Sequence, residues 1–213
     1  MEGGDTRGRS TEFQLMMFRH GQTHGNAERR YVGSTDDQPL SPLGREEALS
    51  AAAFYEDYGF AEVRRVYVSE LRRTHETAAI LFPAAEQVVV PGIQEMDFGV
   101  FTGRTADEMA DDSDYRAWVE GMCEGQCPGG ESKAQFDERV CDGMLHLCRS
   151  IAESGEQRAY LVAHGGTLMA FLSRFAVEQR SYYDWLVGNC QGYRMTVSID
   201  TDGKLSLRDV ERL

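Results

Sequence analysis

Apolar side chains in this chain fall in short runs separated by longer amphipathic stretches. Residues 13–18 include Phe13, Leu15, Met16, Met17 and Phe18, a nearly unbroken run that predicts a strand. Residues 66–69 and 87–90 predict two more short strands, the second closed by Pro91-Gly92, and residues 158–163 predict a fourth. Between them the period changes. Ser41 and Pro42 form a helix start, with Ser41 as N-cap and Pro42 as first helical residue, and the helix is expected to run to Tyr58 before Gly59 stops it. A second helix passes through Ala78 and Leu81 and ends at Pro83. Phe136, Val140, Met144, Leu147 and Ile151 recur at helical spacing and read as core contacts. A further helix follows Gly165. Residues 193–199 and 204–207, joined at Asp202-Gly203, read as a terminal hairpin. Strands alternating with helices predict a three-layer α/β/α sandwich with a mostly parallel sheet. Residues 103–130 interrupt the alternation. They are acidic and irregular, with helical pieces at 106–109 and 115–119, and predict a small helical cap insertion. Residues 1–12 read as a disordered tail and 13–213 as a single domain.

Composition narrows the class. The chain has 213 residues, enough for one sizeable core, with 41% hydrophobic and 27% charged positions, ordinary for a globular protein. A net charge of −13 argues against nucleic acid or an anionic membrane as partner. An anionic substrate would then need a local cationic pocket. No apolar run approaches the roughly 20 residues of a membrane span, and residues 1–10 lack the apolar stretch of a secretory signal. Five cysteines are an odd number without a disulfide pattern, so reduced, mostly buried thiols in a cytoplasmic protein are expected. Cys123 and Cys127 have no neighbouring His or Cys to complete a metal set.

The candidate chemistry sits where strands end. After Phe18 the next side chains are Arg19 and His20, followed by Gly21 and Gln22. After Ala163 come His164, Gly165 and Gly166. Ser69, Arg72 and Arg73 follow the second strand, and Glu95 follows the third. Open parallel sheets bind ligands outside the carboxyl ends of their strands. Arginine forks suit phosphate oxygens, a neutral imidazole is a nucleophile, and a carboxyl group can protonate a leaving oxygen. Gly21 would let the backbone approach a ligand closely. The set suits phosphoryl transfer without a metal. Two histidines and a glutamate as metal ligands are the rival reading, disfavoured because arginines beside the histidines would repel a cation. Arg72, His24, His75 and His146 read as surface or structural residues. Glu70 and Glu76 read as a solvated helix face, and Trp118, Trp185, Tyr182 and Tyr183 as packing.

Five ordered blocks between residues 13 and 170 resemble the histidine phosphatase superfamily, the phosphoglycerate mutase-like proteins. Residues 19–26, from Arg19 to Asn26, look like its signature. Residues 69–78 are similar to its second block and place the second phosphate arginine at Arg73. Residues 93–99 resemble the block holding the proton donor, here Glu95. Residues 128–132, Pro128 to Ser132, are similar to its Gly-Gly-Glu-Ser helix start, and His164-Gly165-Gly166 resembles its second histidine block. The resemblance implies that His20 becomes phosphohistidine. It implies that Arg19, Arg73 and His164 hold the phosphoryl oxygens with Asn26 and Gln22, and that Gly165 opens a helix whose N–H groups face the anion. Ser34 and Thr35 are carried over as substrate-binding candidates, although the loop 31–40 is one residue longer than the family pattern.

Other departures bear on substrate. Mutases follow the catalytic glutamate with a basic residue and bring further basic residues in a longer insertion. Here Met96 and Asp97 follow Glu95, and Asp111, Asp112 and Asp114 make the cap acidic. The pattern is closest to α-ribazole phosphatase-like members. The expected activity is a metal-independent phosphomonoesterase without cofactor, acting on a small phosphorylated metabolite, with α-ribazole phosphate as a candidate. The alternatives are a cofactor-dependent phosphoglycerate mutase and a phosphoryl-binding protein without turnover. The sequence does not define the oligomeric state.

Overall fold

The computed structural model describes residues 11–213. Its strands are β1 (Thr11–Arg19), β2 (Arg65–Val68), β3 (Glu86–Val89), β4 (Arg158–Ala163), β5 (Gly192–Ile199) and β6 (Leu205–Arg212). Its α-helices are α1 (His24–Ala27), α2 (Pro42–Phe54), α3 (Arg72–Leu81), α4 (Ser113–Glu120), α5 (Lys133–Ser154) and α6 (Gly165–Phe175). The six strands form one sheet in the order β3-β2-β4-β1-β5-β6. The first four are parallel, and the terminal hairpin β5-β6 joins β1 antiparallel. Helices cover both faces, as the alternation predicts. Strand β1 starts at Thr11, two residues earlier than expected, because Thr11 and Glu12 pair with Ile199 and Ser198 of β5. The rest of the expected tail lies outside the described residues.

The continuous apolar runs are strands buried on both faces. Phe13, Leu15 and Met17 of β1 point to one face, with Leu161 and Ala163 of β4. Met16 and Phe18 point to the other, with Val162 of β4 and Val66 and Val68 of β2. The first face packs against α5 and α6 through Phe136, Val140, Met144, Leu147, Ile151, Leu168 and Phe171. Burial of each such side chain contributes about 1.5–3 kcal/mol, and Phe136→Ala would cost about 3–5 kcal/mol. Helix α5 begins at a capping box between Ser132 and Gln135 and ends at Gly155, whose φ of 76° closes it in the left-handed region.

Two expectations shift. Helix α2 stops at Phe54 rather than Tyr58, since Tyr55 turns its ring onto Phe60 and Phe18 and the chain tightens into a 3₁₀ turn over Glu56–Tyr58. The segment 103–130 contains α4 as its main helix, capped by the Asp112 side chain, and Met109, Tyr115 and Trp118 from it belong to the same core as α5.

Topology decides where a ligand fits. Helix α2, which follows β1, packs with α3, and α3 packs on β4 and β2 over one face; helix α6, which follows β4, packs with α5 over the other. The two connections therefore leave a crevice at the carboxyl ends of β1 and β4.

Candidate active site

Strand register brings the two histidines together. Arg19 pairs with Ala163, so the residues that follow, His20 and His164, emerge side by side. Their ring centroids lie 5.2 Å apart at 62°. Val68 pairs with Val162, which sets Ser69 against His164 from the other side.

The hydrogen bonds assign the ring protons. His20 Nδ1 lies 2.7 Å from the Gly21 carbonyl oxygen, which only accepts, so Nδ1 holds the proton and Nε2 keeps its lone pair. Arg73 Nε, which only donates, reaches His164 Nδ1 at 3.3 Å. His164 therefore protonates Nε2 and donates from it to Ser69 Oγ at 2.6 Å. Both rings are buried, at 3% and 0% exposure. Burial, then the Arg73 charge, holds both well below the ordinary imidazole value. Two neutral imidazoles result, one with a nucleophilic nitrogen.

The arginines are desolvated around them. Arg73 is fully buried and donates from its two terminal nitrogens to the Asp36 and Gly33 carbonyls at 3.0 and 3.2 Å. Arg19 donates to the Val187 carbonyl at 2.9 Å, and its buried Nε has no partner. Among the described residues neither forms a salt bridge. Burial lowers the pKa of both, and Glu95 opposes the shift. A fully buried Arg73 and a partly buried Arg19, without a salt bridge among the described residues, are costly to hold, and an anion between them would relieve that cost.

Glu95 reaches the site through α6. Its Oε2 accepts the Gly166 N–H at 3.1 Å, and its Oε1 accepts the Met96 N–H at 3.0 Å. A Cβ on Gly166 would stand 2.1 Å from Glu95 Oε1, so only glycine admits the carboxylate here. The Glu95 loop is itself clamped. Arg139 on α5 donates to the carbonyls of Gly92, Gln94 and Glu95 and forms a two-pronged pair with Glu131 at 2.7 Å.

The remaining candidates separate. Gly165 lines the cavity beside Arg19, but the helix N–H of the next residue already serves Glu95. The Asn26 side-chain oxygen accepts the Thr23 N–H in a capping box, and the Gln22 side-chain oxygen accepts from Ser41 Oγ at 3.1 Å. Ser34 and Thr35 do not line the cavity; they belong to the loop whose carbonyls at Gly33 and Asp36 hold Arg73. The freedom of Gly21 is used differently from expectation. A Cβ there would meet the Gly44 carbonyl at 2.6 Å, so the residue admits helix α2 rather than a ligand. Glu76 is no solvated charge: its side chain is 15% exposed and pairs with Arg45 and Arg72. Arg72 is exposed, as expected.

Sequence reasoning missed several supporting residues. Thr77 lies one turn after Arg73 on the same face, and its Oγ1 accepts the Gly21 N–H at 2.9 Å; the four-residue spacing was a usable signal. Asn189 donates to the His20 carbonyl at 2.9 Å from a loop that no local pattern marks. Trp118, Tyr182 and Tyr183, read as packing, line a cavity of about 310 Å³ that opens onto Arg19, Glu95 and Gly166. A wider groove of about 600 Å³ lies at the other end of the sheet, where β2, β3 and β4 begin, and Arg65 and Glu156 pair across it. All five cysteines are free thiols, four of them buried. Among the described residues no group of three or more His, Cys, Asp or Glu could hold a metal ion, and no helix is long and apolar enough to cross a membrane.

Comparison with known proteins agrees with this layout. The sequence model of the Histidine phosphatase superfamily (branch 1) matches residues 15–208. The probable phosphoglycerate mutase GpmB of Escherichia coli O1:K1 is 31% identical over 164 residues, covering 75% of this chain and 73% of that protein. The α-ribazole phosphatase of Shigella flexneri superposes with a TM-score of 0.74 at 24% identity, over 93% of this chain and 96% of its own. A mycobacterial glucosyl-3-phosphoglycerate phosphatase in complex with VO3 gives a TM-score of 0.71 at 28% identity, over 93% and 98%.

Proposed function

Since the chain belongs to the histidine phosphatase superfamily (branch 1), we propose that it is a metal-independent phosphomonoesterase working through a phosphohistidine. The observation supporting this most is the placement of His20, whose Nε2 keeps its lone pair, beside the fully buried Arg73 and the partly buried Arg19, neither of them salt-bridged among the described residues. A phosphate dianion is drawn to these two charges and so to the nucleophile. His20 Nε2 attacks phosphorus, the bond from phosphorus to the ester oxygen breaks, and the Glu95 carboxyl group gives that oxygen its proton. Arg19 and Arg73 stabilise the charge on the phosphoryl oxygens. Water then attacks the phosphohistidine, Glu95 recovers a proton from it, and inorganic phosphate leaves.

Hydrolysis is favoured over the mutase reading by the charges near the cavity. Among the described residues, its one basic lining residue apart from Arg19 is Lys133, and Lys133 is already paired with Asp137. Once Arg19 holds the phosphate, a carboxylate on a phosphoglycerate finds no unpaired cation among those residues. α-Ribazole phosphate is the first named substrate to assay. The discriminating experiment offers 3-phosphoglycerate with catalytic 2,3-bisphosphoglycerate and, separately, a panel of phosphomonoesters, each with and without EDTA. Phosphate release from the panel, unchanged by EDTA, is expected. Isomerisation without net phosphate release would establish the mutase, and a rate lost in EDTA and restored by magnesium or zinc would establish a metal enzyme.

A further inference from the structure

The cavity beside Glu95 defines the alcohol half of the substrate. Arg19 and Glu95 both line it, so an ester held at Arg19 whose leaving oxygen takes a proton from Glu95 places that oxygen, and whatever it bears, in this space. Its walls come from separate parts of the chain. Tyr31, Phe98 and Trp118 form one side, in mutual edge contact at centroid distances of 5.1, 5.8 and 6.4 Å. Phe136, Met169 and Tyr182 also line the cavity. Aromatic edges and a thioether favour the faces of flat apolar groups. The polar end of Tyr31 is turned to Tyr115, whose hydroxyl lies 2.9 Å away, rather than offered to a ligand. Lys133 sits over the Tyr182 ring at 4.1 Å and is held by Asp137, so its charge is already balanced.

Resting on the phosphatase reading above, we infer that this enzyme selects phosphomonoesters whose alcohol bears an uncharged aromatic group, and discriminates against substrates with a second anionic group. Size sets the limit. An apolar cavity of about 150 Å³ holds one benzene ring, so about 310 Å³ takes one or two rings with a short linker. A carboxylate or second phosphate against these apolar walls would give up part of its water with no unpaired cation beyond Arg19 among the described residues to meet it, a loss that apolar walls do not repair.

The test is a series with one leaving-group type: ethyl, 2-phenylethyl and 2-(2-naphthyl)ethyl phosphate, against 3-phosphoglycerate, with p-nitrophenyl phosphate as control. Burial of a phenyl-sized group predicts kcat/KM about 10- to 100-fold above ethyl phosphate for the arylethyl esters, and 3-phosphoglycerate at or below ethyl phosphate. Tyr183, 54% exposed on the cavity rim, can be changed without opening the core. Tyr183→Ala should narrow the phenylethyl-to-ethyl ratio, and Tyr183→Lys should raise 3-phosphoglycerate relative to ethyl phosphate. Turnover of every ester with a flat series, or with 3-phosphoglycerate preferred, overturns the inference and leaves the phosphatase reading standing. No phosphate release from any ester, p-nitrophenyl phosphate included, overturns the phosphatase reading itself and the inference with it.

Discussion

Protonation at single atoms governs this site. His20 and His164 are both neutral imidazoles, yet opposite nitrogens carry their protons, because a carbonyl faces one ring and a guanidinium the other. Ser69 makes the second arrangement possible. Its hydroxyl accepts from His164 Nε2 at 2.6 Å and, as donor and acceptor both, suits either tautomer of that ring. Ser69→Ala leaves a buried ring N–H unpaired, a loss of about 1–3 kcal/mol. We expect kcat/KM to fall by about 10–100-fold on good and poor leaving groups alike. Imidazole ¹⁵N shifts should report protonated Nε2 at His164 in the free wild type, and a protonated Nδ1 there would contradict the assignment.

At the scale of elements, the Glu95 carboxylate is held by two helices that share no sequence motif. Helix α6 offers the Gly166 N–H and α5 offers the Arg139 clamp. Gly166→Ala would drive a methyl group into Glu95 Oε1 and to 2.9 Å from Phe136 Cζ. It should reproduce the signature of Glu95→Gln: single-turnover phosphorylation slowed by about 10²–10⁴ for an alkyl phosphate and far less for p-nitrophenyl phosphate, whose leaving group hardly needs a proton. Equal losses on both esters would mean that Glu95 acts by binding or structure. The elements themselves were largely legible. The run from Phe13 to Phe18 and the spacing from Phe136 to Ile151 each name their partner face through periodicity alone. The histidine, arginine and glutamate positions were legible because they follow strand ends. The cavity was not, since Tyr31, Phe98, Trp118, Phe136 and Tyr182 come from distant segments and look like core in any local window. The end of α2 was missed because the pull of Phe18 and Phe60 on Tyr55 is tertiary.

Taken whole, the molecule is an acidic chain of net charge −13 that places a fully buried Arg73 and a partly buried Arg19 beside two buried histidines. That design has a cost in acid. In the unfolded chain His20 and His164 take up protons as pH falls through about 6.5, whereas in the folded chain both stay neutral well below it. Below that pH the unfolded state binds more protons, so the stability these two groups permit above pH 6.5 is lost as pH falls. The loss is at most about 1.4 kcal/mol per pH unit for each histidine. Urea midpoints should therefore decline from pH 6.5 to 5, and His164→Gln should flatten the slope; an unchanged slope would mean that this histidine is protonated in the fold. The central claim is that the phosphoryl group passes through His20, and intact-protein mass tests it most directly. Enzyme mixed with a phosphomonoester, quenched within a turnover and kept out of acid, should gain one phosphoryl group that maps to His20. The gain should vanish in acid, and His20→Ala should show neither the adduct nor turnover. An adduct on His164, or full turnover by the alanine variant, would contradict the account.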